Sequence, residues 1–273
     1  MLARTAEIGQ KRSVKVFYEL MMMKRSLFLL VVCVLGLQTY ARATSKVMHW
    51  FAPQGNGNFS AAAQNVCKVS SSASGDEIWS PDHLRKIVTR FSPERDTALL
   101  SAIDEDGHEF AVETEASSCP EIGWSPTSTL FFVTYSDGGA VGTYHVSVYR
   151  ISAGRMEKID LTGAVRRNFQ RHYPKCDSPE EPNIAGVAWS ADSTKLLVAA
   201  QVLPHSNCDN MGTFNLYTVA VSNGRIIDRV PQRAAKASLH GVLGQELRAA
   251  EDRCFSQVGS CWIPALHQTK KGK

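Results

Sequence analysis

The sequence predicts a mostly β fold of antiparallel strands, followed by a helical C-terminal extension. Three observations carry that prediction. Apolar runs divided by Gly-, Asp- and Asn-containing turns recur as strand–turn–strand pairs between Lys86 and Val230. A short aromatic–Ser–Pro or aromatic–Ser–Ala motif stands a few residues before several of those runs. After Val230 the spacing of apolar residues changes from period two toward the helical period.

The elements follow in order. Val47–Phe51 suits an edge strand, Gln54–Asn58 a loop, and Ala61–Val69 either a short helix or a strand. Ser70–Gly75 reads as a connector. Lys86–Phe91 is β-rich; Ala98–Ile103 and His108–Val112 flank the turn Asp104-Glu105-Asp106-Gly107 and form a hairpin. Leu130–Tyr135 and the alternating Tyr144–Ile151 flank a second turn, Ser136–Gly142. Lys195–Val202 and Phe214–Val221 make a third pair, and Ser222-Asn223-Gly224 turns the chain into Arg225–Asp228. Thr162–Tyr173 suits a helix stopped by Pro174, and Cys176–Asn183 a proline-rich loop, together an insertion. Ala234–Cys254 reads as one helix with Leu239, Val242, Leu243, Leu247 and Ala250 on its apolar face, and Lys270–Lys273 as a frayed tail.

The first 43 residues read as a leader. Met23-Lys24-Arg25 is basic, Ser26–Leu37 is apolar, and Ala41-Arg42-Ala43 is a small-x-small site: the three parts of a secretory signal peptide over about 23–43. Translation is expected to begin at Met21, Met22 or Met23. The apolar run is shorter than the ~20 residues that span a bilayer; an uncleaved anchor is the alternative. Cys33 lies inside that run and belongs to the leader. Taking away its seven basic and two acidic residues leaves 23 basic and 24 acidic ones, a net of −1. A nucleic-acid binder would keep a basic surplus, so none is expected as partner. Six cysteines remain: Cys67, Cys119, Cys176, Cys208, Cys254 and Cys261. An even number in an exported chain argues for disulfides, with 15 pairings open. Locality favours Cys67–Cys119, Cys176–Cys208 and Cys254–Cys261; scattered zinc ligands are the competing reading.

Trp79-Ser80-Pro81-Asp82, Phe91-Ser92-Pro93-Glu94, Trp124-Ser125-Pro126-Thr127 and Trp189-Ser190-Ala191-Asp192 are copies of one motif. The ring ends a strand and buries itself, and Ser–Pro starts a tight turn. This motif, with a Gly-containing turn and a strand such as Leu216-Tyr217-Thr218-Val219, resembles the blade repeats of TolB-type and WD40-like β-propellers over roughly 79–230. The resemblance implies propeller-like antiparallel blades, few or incomplete, in a domain taken as 44–230; the helical spacing and the cysteines that follow make 231–273 a helical, disulfide-containing extension. It implies a binding role and transfers no catalytic residue. Starts at Phe91, Trp124 and Trp189 are 33 and 65 residues apart, whereas family repeats recur at about 40–50.

No catalytic, cofactor or metal motif stands out: no G-x-S-x-G, H-E-x-x-H or phosphate loop. Gly138–Gly142 sits at a hairpin tip and not before a helix. Asp104–Gly107 opens like a calcium loop but lacks the later ligands, and a solvated turn is expected. His205–Asp209 gathers polar groups in a loop expected to be tethered by Cys208. His240 and Glu246 are six apart and share no helix face. Trp79, Trp124 and Trp189 are expected as core anchors, and as a sugar platform if any is exposed. The leading function is therefore a periplasmic or secreted binding or scaffold protein of the envelope, acting through protein–protein contacts. The alternative is a hydrolase with residues on the loops of Asp104, Asp137, His172 and His205. A third reading is a structural module whose sheets a partner completes.

Overall fold

The computed structural model describes residues 48–66, 76–92, 97–112, 119–138, 142–172, 181–206, 208 and 210–251. The leader, Cys67, Cys176, Cys254, Cys261, Pro174 and the lysine tail lie outside them. The strands are β1 (Trp50–Phe51), β2 (Gln64–Asn65), β3 (Asp76–Trp79), β4 (Lys86–Ser92), β5 (Thr97–Ile103), β6 (Glu109–Ala111) and β7 (Glu121–Trp124). Then come β8 (Leu130–Ser136), β9 (Tyr144–Ser152), β10 (Arg155–Ile159), helix α1 (Gly163–His172) and strands β11 (Asn183–Ser190), β12 (Lys195–Gln201), β13 (Phe214–Ala220) and β14 (Ile226–Pro231). Two short helices, α2 (Gln232–Ser238) and α3 (Gln245–Ala249), follow.

The strands make three propeller-like blades, each a four-stranded antiparallel meander: β3–β6, β7–β10 and β11–β14. The two-residue strands β2 and β1 pair with the first strands of blades 2 and 3. The predicted strand pairs all form, with cross-strand partners such as Ala102 with Phe110, Phe132 with Val148 and Leu197 with Thr218. Phe91 is not a blade start, however. It lies within β4, a second strand, so the motif there follows a strand of the wrong rank. The true starts are Trp79, Trp124 and Trp189, each the end or near-end of a first strand and spaced 45 and 65 residues apart. The longer interval holds α1, the predicted insertion. Asp160 caps this helix, its Oδ1 accepting the amides of Thr162 and Gly163, and Val165 and Phe169 bury its inner face.

Apolar cores lie between successive layers. Ile78, Ile87, Leu100 and Ala102 of blade 1 meet Ile122, Trp124, Phe131 and Tyr149 of blade 2. Leu130, Phe132, Val146 and Val148 on the other side of blade 2 meet Ile184, Trp189, Val198, Tyr217 and α1. The far side of blade 3, with Val187, Leu197, Phe214 and Leu216, is covered by Phe59, Ala235, Val242, Leu243 and Leu247. Phe132 is 1% exposed, and a Cβ at Gly123 or Gly186 would sit 2.3 or 2.6 Å from its ring. The glycines let the ring lie against backbone in both blades. Because that ring has nowhere to move, Gly186→Ala is expected to cost roughly 1–3 kcal/mol of stability in urea unfolding.

The single helix expected over Ala234–Cys254 is broken. Between α2 and α3 the chain runs as a bridge, Leu243 opposite Ser60. The Ala61 amide donates to the Val242 carbonyl at 3.0 Å, and the Gly244 amide to the Phe59 carbonyl at 2.9 Å. A Cβ at Gly244 would lie 2.2 Å from the Asn58 carbonyl oxygen, so only glycine permits this approach. The apolar residues still reach the core, but through two short helices and a turn.

Candidate functional site

The motif turn builds the same structure in each blade. In blade 1 the Ser80 hydroxyl donates to Asp82 Oδ1 at 2.6 Å and accepts the Arg85 amide at 3.0 Å. In blade 3 Ser190 does the same with Asp192 at 2.6 Å and Lys195 at 3.0 Å. In blade 2 Thr127 replaces the aspartate, and Ser125 accepts the Leu130 amide at 3.1 Å. The Ser190 hydroxyl, then Thr194, hold the Asp192 carboxyl below the usual carboxylate range. The fourth residue after each tryptophan, His83, Ser128 or Ser193, has φ of 57–60°, a left-handed conformation that needs neighbours to hold it.

Those neighbours come from the adjoining blade. The Trp124 indole NH donates to the Ile78 carbonyl of blade 1 at 3.2 Å, and the Trp189 indole NH to the Gly123 carbonyl of blade 2 at 2.9 Å. Each ring thus reaches the residue that precedes the tryptophan of the blade before it. In return the Asp82 amide donates to Ser128 Oγ at 3.0 Å, and the Thr127 amide to Ser193 Oγ at 3.2 Å. This reciprocal exchange is the rule by which one blade docks on the next.

Among the described residues no blade stands before blade 1, and the consequence is visible in Trp79. Trp124 and Trp189 are 6% and 2% exposed, while Trp79 is 43% exposed. The expectation of a core anchor fails at this one copy because the layer that would cover it is missing among the described residues. Ile78, Leu100 and Ala102 face blade 2, so the alternation of side chains turns Trp79 and Leu99 to the opposite side. Leu99 is exposed on that side, and Leu84 is exposed in the turn between β3 and β4. Lys86 lies 4.9 Å over the Trp79 ring and pairs with Glu77 at 2.6 Å, and Arg90 pairs with Glu109 at 3.3 Å. The face is an apolar centre with a charged border, the usual anatomy of a protein interface. An aromatic flanked by carboxylates and cations also suits a sugar platform, but a single exposed ring offers only one stacking surface.

Of the loops named for hydrolytic chemistry, those of Asp137 and His205 border one cleft through Gly142 and His205, but the four named side chains do not form one catalytic group. Asp104 is 3% exposed, so its turn is not simply solvated. Its Oδ1 accepts the amides of Asp106 and His108 at 3.0 and 2.8 Å, and its Oδ2 accepts Gly154 N at 2.8 Å and meets His108 Nδ1 at 3.1 Å. Burial alone would raise the carboxyl, but these amide and imidazole bonds bring it down to about 2. Asp104, Asp106 and His108 lie close enough to share a metal ion. With the acceptor positions of Asp104 filled by the protein, the group braces one blade turn against the next instead. Asp137 meets His145 Nε2 at 3.3 Å, whose Nδ1 faces Arg166 at 3.4 Å, leaving no hydroxyl or thiol for the ring to activate. His172 bonds the Asn168 carbonyl within its own helix, and His205 is an exposed loop residue. No hydrogen bond among the described residues joins two of these four loops.

One buried carboxylate escaped the sequence reading. Glu121, 1% exposed at the start of β7, accepts the amides of Asn58 at 2.7 Å, Phe59 at 3.1 Å and Ser60 at 3.2 Å. Desolvation outweighs these bonds and pushes its carboxyl up to about 7. Its signal was one acidic residue in an otherwise apolar strand; its donors are backbone amides, which no sequence pattern marks.

No protein-family model and no curated protein sequence matches the chain. Among solved structures it is similar to TolB from Acinetobacter baumannii, at 14% identity and a TM-score of 0.33, over 57% of this chain and 32% of that one. It is also similar to the β-propeller domain of the Trilobed protease from Pyrococcus furiosus, at 12% identity and a TM-score of 0.36, over 67% of this chain and 57% of that one. The chain therefore spans about a third and just over half of these two structures. Among the described residues no helix is long and apolar enough to cross a membrane.

Proposed function

We propose that this chain is an exported binding protein, periplasmic or secreted, whose uncovered blade 1 face docks a protein partner of the envelope. The observation that carries the reading is Trp79, exposed where its two counterparts are sealed by a neighbouring blade. The blade-to-blade rule also states what the partner offers: an antiparallel sheet with a strand-end carbonyl for the Trp79 indole. Export rests on the leader at 23–43, and disulfide bracing on the six cysteines that follow it. Cys119, just before β7, and the buried Cys208 are both bonded sulfurs, which supports bracing; the pairing favoured by locality puts Cys67 and Cys176 opposite them.

Site-specific photo-crosslinking tests the docking face. A benzophenone side chain at position 84, exposed in the turn that follows Trp79, is expected to give one discrete adduct with a second polypeptide in envelope extract. Trp79→Lys in the same chain should reduce that adduct severalfold. The same probe at Ile227, exposed on β14 of blade 3, should not give it. An identical adduct from position 227, or none from position 84, would count against the reading.

A further inference from the structure

We propose that the cleft between blades 2 and 3, at the end of the sheets away from the tryptophan turns, binds a compact organic cation presented as a guanidinium or primary ammonium group. The cleft has a volume of about 130 Å³ and is lined by Phe59, Tyr144, Asn183, Leu203, His205 and Glu246, among others. That is room for several waters or one small cationic head group.

Three features select the charge. First, the walls are aromatic: the Phe59 and Tyr144 rings stand 4.8 Å apart at 60°, and ring faces attract cations. Second, the charge on the wall is held in place by the protein. The Tyr144 amide donates to Asn183 Oδ1 at 2.9 Å, Asn183 Nδ2 to Gln201 Oε1 at 3.1 Å, and Gln201 Nε2 to Glu246 Oε1 at 3.3 Å. Asn183 and Gln201 are 2% and 1% exposed, so this relay of amide groups fixes the Glu246 carboxylate from behind and leaves Oε2 for a ligand. Third, among the described residues no lysine or arginine neutralises it, and the one basic side chain in the lining, His205, makes no ion pair with it. The lining holds no lysine or arginine, and no ion pair among the described residues uses Glu246. Burial, followed by the fields of Glu121 and Glu246, raises the Tyr144 hydroxyl, as expected for a cleft of negative potential. A preorganised carboxylate beside aromatic faces favours a cation over a neutral ligand, because a bound cation forms a charge-assisted hydrogen bond.

Titration with ethylguanidinium, followed by amide NMR, tests this. Saturable shifts at Gly142, Tyr144 and Glu246 are expected, with none from the neutral isostere ethylurea at equal concentration. Glu246→Gln keeps an oxygen for Gln201 and should weaken binding at least tenfold. Tyr144→Leu removes the aromatic wall and should weaken it severalfold, so a folding failure in either variant leaves the other to decide. The source of the cation is read from acetyl-Gly-Arg-Gly-amide. Binding as tight as ethylguanidinium indicates an arginine side chain of a polypeptide, and exclusion indicates a free small molecule. Absence of any response, an equal response to ethylurea, or unchanged binding by both variants would overturn the proposal. The cleft is separate from the blade 1 face, and its failure leaves that reading untouched.

Discussion

Trp189→Ala is expected to be the most destabilising single change in the described chain, lowering unfolding free energy by roughly 3–5 kcal/mol. The ring is 2% exposed, packs near Phe132 with centroids 6.1 Å apart, and donates its indole NH into the preceding blade. Truncation leaves a cavity in the core between blades 2 and 3 and strips the Gly123 carbonyl of a partner. Trp79→Ala is the control: the same residue type in the same motif, but 43% exposed. It should change stability by less than about 1 kcal/mol. Urea unfolding of both variants, with m-values compared, decides the matter. Equal losses at the two positions would mean that a covering layer does reach Trp79.

The second large effect depends on pH. The Glu121 carboxyl is raised from its ordinary 4.5 to about 7. A folded state that holds the proton more tightly than the unfolded one is most favoured at low pH. The contribution is fully present below about pH 4.5 and is lost as pH rises through about 7. At 1.36 kcal/mol per unit, the loss is on the order of 3 kcal/mol. Glu121→Gln cannot ionise, so the difference between wild type and variant isolates this group from every other titration. Unfolding midpoints at pH 5 and pH 8 should diverge in the variant's favour at pH 8. Parallel curves would mean that the amides of Asn58, Phe59 and Ser60 satisfy the charge completely.

Much of the fold was legible because strands announce themselves locally. Period-two runs such as Tyr144–Ile151, and turns such as Ser222-Asn223-Gly224, depend only on neighbours in sequence. The blade motif was legible for the same reason, since Ser190 and Asp192 close their turn within five residues. Rank among the copies was not legible. Phe91-Ser92 and Trp79-Ser80 look alike, and only long-range pairing shows that β4 is a second strand and β3 a first. The broken C-terminal helix was hidden likewise. Its apolar spacing satisfies a helix, but the pairing of Leu243 with Ser60, far away in sequence, outweighs local preference. The candidate sites were least legible. The cleft is assembled from Phe59, Tyr144, Asn183 and Glu246, which no spacing rule connects. Asp104 and His205 were noticed for their residue types, and the first proved to be a brace.

The covering of blade 3 by α2, α3 and Phe59 sets a limit on assembly. A stack with two bare ends could add copies of itself indefinitely, since each new member would present the surface its successor needs. Here the blade 3 end is covered by the chain's own helices, so among the described residues blade 1 is the end left for a further layer. The far side of blade 3 is thus closed to any layer that would seat itself there as blade 3 seats itself on blade 2.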